Sequence, residues 1–89
     1  MVERVVMIKN RLGLHARAAA LFVATASRFS ADVTLEKDGV EVNGKSIMGL
    51  MMLAAAKGCD VVVRADGPDE HKAVEGMTKL IEDKFNEEV

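Results

Sequence analysis

The chain has 89 residues, 49% of them apolar and 29% charged, with a formal net charge of −2. That length supports one hydrophobic core, and the balance is that of a globular domain spanning residues 1–89. A slightly acidic chain whose only aromatic residues are three Phe is a poor match for a nucleic-acid surface, which needs basic patches and stacking rings.

Residues 2–9, "VERVVMIK", are rich in β-branched side chains and predict a strand with Val6 and Ile8 inward. Residues 16–29 predict an amphipathic helix, with Ala19, Phe22, Val23, Ala26 and Phe29 at spacings of three and four. "DVTLEKDGVEV" is two short alternating runs around Asp38-Gly39. Asp-Gly is a strong hairpin signal because a type I′ turn needs positive φ at both central positions. Val33, Leu35, Val40 and Val42 would then share one face. "KSIMGLMMLAAAKG" predicts a short helix capped by Ser46 and stopped at Gly58, with Leu50 and Leu53 inward. "CDVVVRAD" predicts a strand with Val61 and Val63 inward. A last helix begins near Pro68 or Asp69 and presents Val74, Met77, Ile81 and Phe85. The order is β-α-β-β-α-β-α. Each element has one apolar face, so a sheet with helices on one side buries them all.

Met1 leads straight into a strand pattern charged at Glu3 and Arg4, which predicts no signal peptide and a cytoplasmic location. No apolar run reaches the ~18 residues of a membrane span, so no membrane insertion is expected. Cys59, the only cysteine, reads as a small packed residue near a strand start. Two histidines and one cysteine without ligand spacing predict no metal site, and no cofactor is demanded. His71, in "DEHKA", reads as solvated surface.

The chemistry gathers in "RLGLHARAAALFV", which begins at Arg11. A helix start leaves backbone N–H groups without partners, and Ser, Thr, Asp or Asn usually supplies an oxygen to them. None is present here. The amides of Ala16, Arg17 and Ala18, with the helix dipole, form an anion site. Arg17 adds a donor fork suited to phosphate oxygens. His15 puts a nucleophilic ring nitrogen beside them, and Gly13 lets the backbone bend just upstream. The combination reads as a histidine that takes a phosphoryl group. A lone histidine at a helix start is also common as plain surface, so residue types alone leave both readings open. Ser46 likewise needs only its capping role. Ile47, Met48 and Met51 are expected as an exposed apolar patch, since Leu50 and Leu53 already supply the inward stripe.

"GLHAR" at residues 13–17, "VNGKSIMGLMMLAA" from Val42 and the "LEKDG" hairpin between them resemble HPr. That family is the histidine-containing phosphocarrier of the bacterial phosphoenolpyruvate-dependent sugar phosphotransferase system. The resemblance implies an α+β open-faced sandwich of four antiparallel strands with three helices, acting as a monomer. It implies that His15 is phosphorylated on Nδ1 by Enzyme I and passes the group to Enzyme IIA-type domains while Arg17 steadies the phosphate. It implies a regulatory phosphorylation of Ser46 by an HPr kinase/phosphorylase, and a transcriptional regulator as a further partner. Docking would use Ala20, Leu21 and Ala24 of the first helix with Ile47, Met48 and Met51. Two positions depart from the family pattern. Ala18 stands where proline is usual, which returns one N–H to the anion site, and Leu12 replaces a small polar residue. Ala18 gives weight to an alternative, a regulatory adapter, against which the intact His15 and Arg17 count; a related variant would serve a nitrogen-responsive phosphotransfer chain.

Overall fold

The computed structural model describes residues 1–87. Its elements run β1 (Val2–Met7), α1 (Ala16–Ala26), β2 (Asp32–Lys37), β3 (Val40–Asn43), α2 (Ile47–Met52), β4 (Asp60–Asp66) and α3 (Glu70–Glu82), then a short turn, Lys84–Asn86. The four strands form one antiparallel sheet in the order β1-β4-β2-β3. The three helices complete the expected open-faced α+β sandwich.

The period-two pattern decides which sheet face is covered. Val6 and Ile8, Val33 and Leu35, and Val61, Val63 and Ala65 all point to the helices and are buried. Phe22 from α1, Leu50 from α2, and Val74, Met77 and Ile81 from α3 meet them, each fully or almost fully buried. Truncating the Phe22 ring would cost about 3–5 kcal/mol. On the open face, Arg64 of β4 holds one carboxylate from every other strand: Glu3 of β1, Glu36 of β2 and Glu41 of β3. This network keeps Arg64 protonated even more firmly than an ordinary arginine, chiefly through the Glu36 hydrogen bond.

The hairpin turn forms as expected. Asp38 and Gly39 have φ of 52° and 83°, and Lys37 pairs with Val40. Val40 departs from the expected inward face. It is exposed, because it sits at the hairpin tip beyond the cover of the helices, while Val42 is half-buried. α1 ends at Ala26 rather than at residue 29. The chain tightens there, with Arg28 N–H bonding to Thr25 C=O and Phe29 N–H to Ala26 C=O, so Phe29 is only half-buried. α2 is shorter than expected as well. A left-handed Ala54 (φ 50°), not Gly58, stops it, and Gly58 (φ 93°) instead turns the chain toward β4. α3 stops at Glu82, and Phe85 reaches the core from a following turn in which Lys84, Phe85 and Asn86 are all left-handed.

Asp69 precedes α3 without capping it. Its carboxylate accepts instead from the Ser30 and Ala31 amides at 2.9 and 2.8 Å, which ties the end of α1 to the start of α3. Those two bonds, Ser30 first, hold the Asp69 carboxyl below its usual range.

One glycine positions the site. Gly13 is left-handed (φ 65°), and a Cβ there would lie 2.5 Å from the Ala55 carbonyl oxygen. Gly13→Ala is therefore expected to destabilise the fold by at least about 2 kcal/mol, through backbone strain plus overpacking. Gly39→Ala has open space around it and carries only the left-handed cost of about 1–2 kcal/mol. Urea melts of both variants check the contrast.

Candidate functional site

The loop between β1 and α1 is held against the segment after α2. Leu14 N–H donates to Ala55 C=O at 2.8 Å, and Ile8 exchanges backbone bonds with Gly58 and Cys59. Inside this loop Asn10 is fully buried. Its side-chain amide donates to Gly13 C=O at 2.7 Å and to a Glu87 carboxylate oxygen at 2.9 Å. Both partners are acceptors, so the orientation of the amide is set. Asn10 Oδ1 finds no partner among the described residues.

His15 is the N-cap residue of α1, with extended backbone (φ −80°, ψ 179°) and no capping bond from its side chain. The first helical bond runs from Ala19 N–H to His15 C=O at 2.8 Å. The amides of Ala16, Arg17 and Ala18 thus start the helix without intrahelical partners. The His15 side chain is 29% exposed. It lines a small recess with Leu12, Arg17, Ala18, Phe85 and Glu87. Arg17 is exposed, and its guanidinium makes no ion pair among the described residues. Ala18 is buried, so its methyl group serves the core while its amide serves the helix start.

Glu87 closes the recess. One carboxylate oxygen lies 3.5 Å from His15 Nε2, and the other accepts from Leu12 N–H at 3.3 Å. The Asn10 bond, then the Leu12 amide and the nearby ring, hold its carboxyl below the usual glutamate range. Glu87 also lines a second recess, with Lys9, Arg11, Lys57 and Lys84. Asn10 and Glu87 were not singled out from the sequence. "KFNEEV" contains no glycine to signal a left-handed turn, and Asn10 and Glu87 stand 77 positions apart.

Ser46 is the N-cap of α2, its hydroxyl accepting from Gly49 N–H at 3.1 Å. The α2 surface beside it is apolar and open. Ile47 is 42% exposed, Met48 77%, Met51 45% and Met52 81%, while Leu50 and Leu53 are buried. On α1, Ala20 and Ala24 face solvent. Leu21 is half-buried and lines a recess toward Gly76 and Leu80 of α3, so it sits between helices more than the two alanines do. Leu12, 62% exposed, adds to the apolar surface around the recess. Cys59 is half-buried and His71 exposed.

Fold and site together define a class: a small open-faced sandwich with a histidine at an uncapped helix start, next to an exposed apolar helix. Comparison with known proteins agrees. Residues 2–83 match the family described as "PTS HPr component phosphorylation site". The phosphocarrier protein HPr of Xylella fastidiosa is 50% identical over 88 residues, covering 99% of each chain. The HPr-like protein Crh of Bacillus subtilis is 49% identical over 84 residues, 94% of this chain and 99% of that one. The crystal structure of HPr-C-His from Thermoanaerobacter tengcongensis superposes with a TM-score of 0.95 at 52% identity, covering all of both chains. The chain belongs to the HPr family, the phosphocarriers of the phosphotransferase system. Among the described residues, no helix is long and apolar enough to cross a membrane.

The Ser46 cap makes a direct prediction. Ser46→Ala should lower stability by about 1 kcal/mol, while Ser46→Asp, an equally good cap with favourable charge at a helix start, should hold or slightly raise the melting temperature. Thermal melts of the pair decide it.

Proposed function

We propose that this chain carries a phosphoryl group on His15, taking it from phospho-Enzyme I and giving it to Enzyme IIA-type domains. The reading rests on one observation above all: His15 and Arg17 share a recess at an uncapped helix start, in a chain of the HPr family. The ring nitrogen attacks phosphorus in line with the departing donor. The Ala16–Ala18 amides and the Arg17 guanidinium take up charge on the phosphoryl oxygens. The chain contributes nucleophile and electrostatics, and each partner brings its own reacting group. It is a covalent carrier and not a stand-alone catalyst.

Docking uses the open apolar surface of α2 (Ile47, Met48 and Met51) with Ala20, Leu21 and Ala24 of α1. Ser46 lies at the edge of that patch. A phosphate there would keep the cap favourable, since negative charge suits a helix start, yet would put charge against an apolar contact. Ser46 is therefore a regulatory site in this reading, with an HPr kinase/phosphorylase and a transcriptional regulator as its partners.

Incubation with phosphoenolpyruvate and Enzyme I, followed by intact mass and acid lability, tests the proposal. His15→Ala should keep its fold and gain no acid-labile phosphate, and an acid-labile adduct on that variant would remove His15 from the role. Arg17→Ala should slow transfer while changing stability by less than about 0.5 kcal/mol. Met48→Glu should weaken binding to Enzyme I, read by calorimetric titration, with little change in melting temperature.

A further inference from the structure

A histidine ring has two nitrogens, and a carrier must present one of them without its proton. The contact that discriminates them lies at the chain's far end. Glu87 places a carboxylate oxygen 3.5 Å from His15 Nε2, and its side chain is only 12% exposed. That carboxylate is not a loose surface group. Asn10, itself fully buried, donates to it at 2.9 Å, and Leu12 N–H donates at 3.3 Å. The chain accepts three successive left-handed residues, Lys84, Phe85 and Asn86, to bring it there. Left-handed backbone is unfavourable for lysine and phenylalanine, though asparagine tolerates it better. Burial of Phe85 anchors the turn. Strain kept beside a reactive group is a pointer to a role for the group it places.

We infer that Glu87 is a positioning residue for His15: its carboxylate keeps the proton of the neutral ring on Nε2 and so leaves the Nδ1 lone pair as the nucleophile. The inference deepens the phosphocarrier reading and rests on it. At 3.5 Å the negative carboxylate favours the tautomer that carries its proton on the nearer nitrogen. The step balances without a base. The Nδ1 lone pair forms the bond to phosphorus, the bond from phosphorus to the donor breaks, and its electron pair leaves with the donor. The ring keeps its Nε2 proton and gains positive charge, which the Glu87 carboxylate offsets. On donation to the acceptor the same electrons return to Nδ1. Asn10 acts one step further out. It fixes the carboxylate and, through Gly13 C=O, the loop that carries the ring.

The test uses the unphosphorylated full chain, labelled with 15N in the histidine ring, as wild type, Glu87→Ala and Glu87→Gln. At a pH where His15 is neutral, ring 15N shifts report the tautomer directly. The wild type should be predominantly Nε2–H. Glu87→Ala should move the population toward Nδ1–H, with Glu87→Gln between them. Transfer from phospho-Enzyme I should fall on the order of tenfold in kcat for Glu87→Ala, the low end for losing an orienting partner, with KM little changed. An unchanged tautomer in Glu87→Ala overturns the inference, whatever the rate does. The spectrum needs no phosphoryl donor, so this failure is separable from failure of the carrier reading, which the His15→Ala experiment decides.

Discussion

The bond from the Leu14 amide to the Ala55 carbonyl is the tie on which the arrangement of the site depends. It joins the loop before α1 to the segment after α2, two stretches that belong to different parts of the chain. Because the backbones meet so closely, residue 13 must lack a Cβ. The same approach joins the loop that carries His15 to the segment that follows the open methionines of α2. On the proposed reading, the histidine and the apolar surface would then be presented to a partner together. Neither α1 nor α2 could arrange this alone, since α2 is only six residues long and takes its direction from the tie and from Leu50 and Leu53 packed beneath it.

The two sheet faces divide the remaining work. The covered face holds Val, Ile, Leu and Ala against the helices. The open face is organised by charge, with Arg64 reaching carboxylates on all three other strands. A surface ion pair is worth little by itself. An arginine shared among three glutamates from three strands mainly opposes slippage, because moving one strand by a residue would send its glutamate to the wrong face.

Much of this was legible in the residues. β1, β2 and β4 follow the alternation of their apolar side chains, the Asp38-Gly39 turn follows from its dipeptide, and the start of α1 lacks a side-chain cap as its residue types imply. The family resemblance then rested on two motifs at their proper spacing. Where the reading failed, long-range packing outweighed local pattern. Val40 alternates correctly yet lies beyond the helices. The apolar run after Met52 looks helical yet turns at a left-handed alanine, and Ala55 just beyond it accepts from Leu14. Asn10 resembles an ordinary loop residue until Glu87 arrives from the other end of the sequence. No periodicity announces a left-handed turn made of lysine, phenylalanine and asparagine.

The strand order β1-β4-β2-β3 has a consequence for how the molecule comes into being. β2 and β3 are a hairpin closed by a two-residue turn and can pair as soon as they are made. β1, first in the chain, sits at the sheet edge and pairs only with β4, residue 2 opposite residue 65. Closing so long a loop costs conformational entropy before any pairing offsets it, and such contacts form slowly. The loop that carries His15 hangs from the end of β1, so its shape is completed only once β4 has docked. A nascent or partly folded chain therefore displays the histidine without the geometry around it. On the proposed reading, competence to hold a phosphoryl group would wait on that pairing, so the small site would report on the folding of the entire chain.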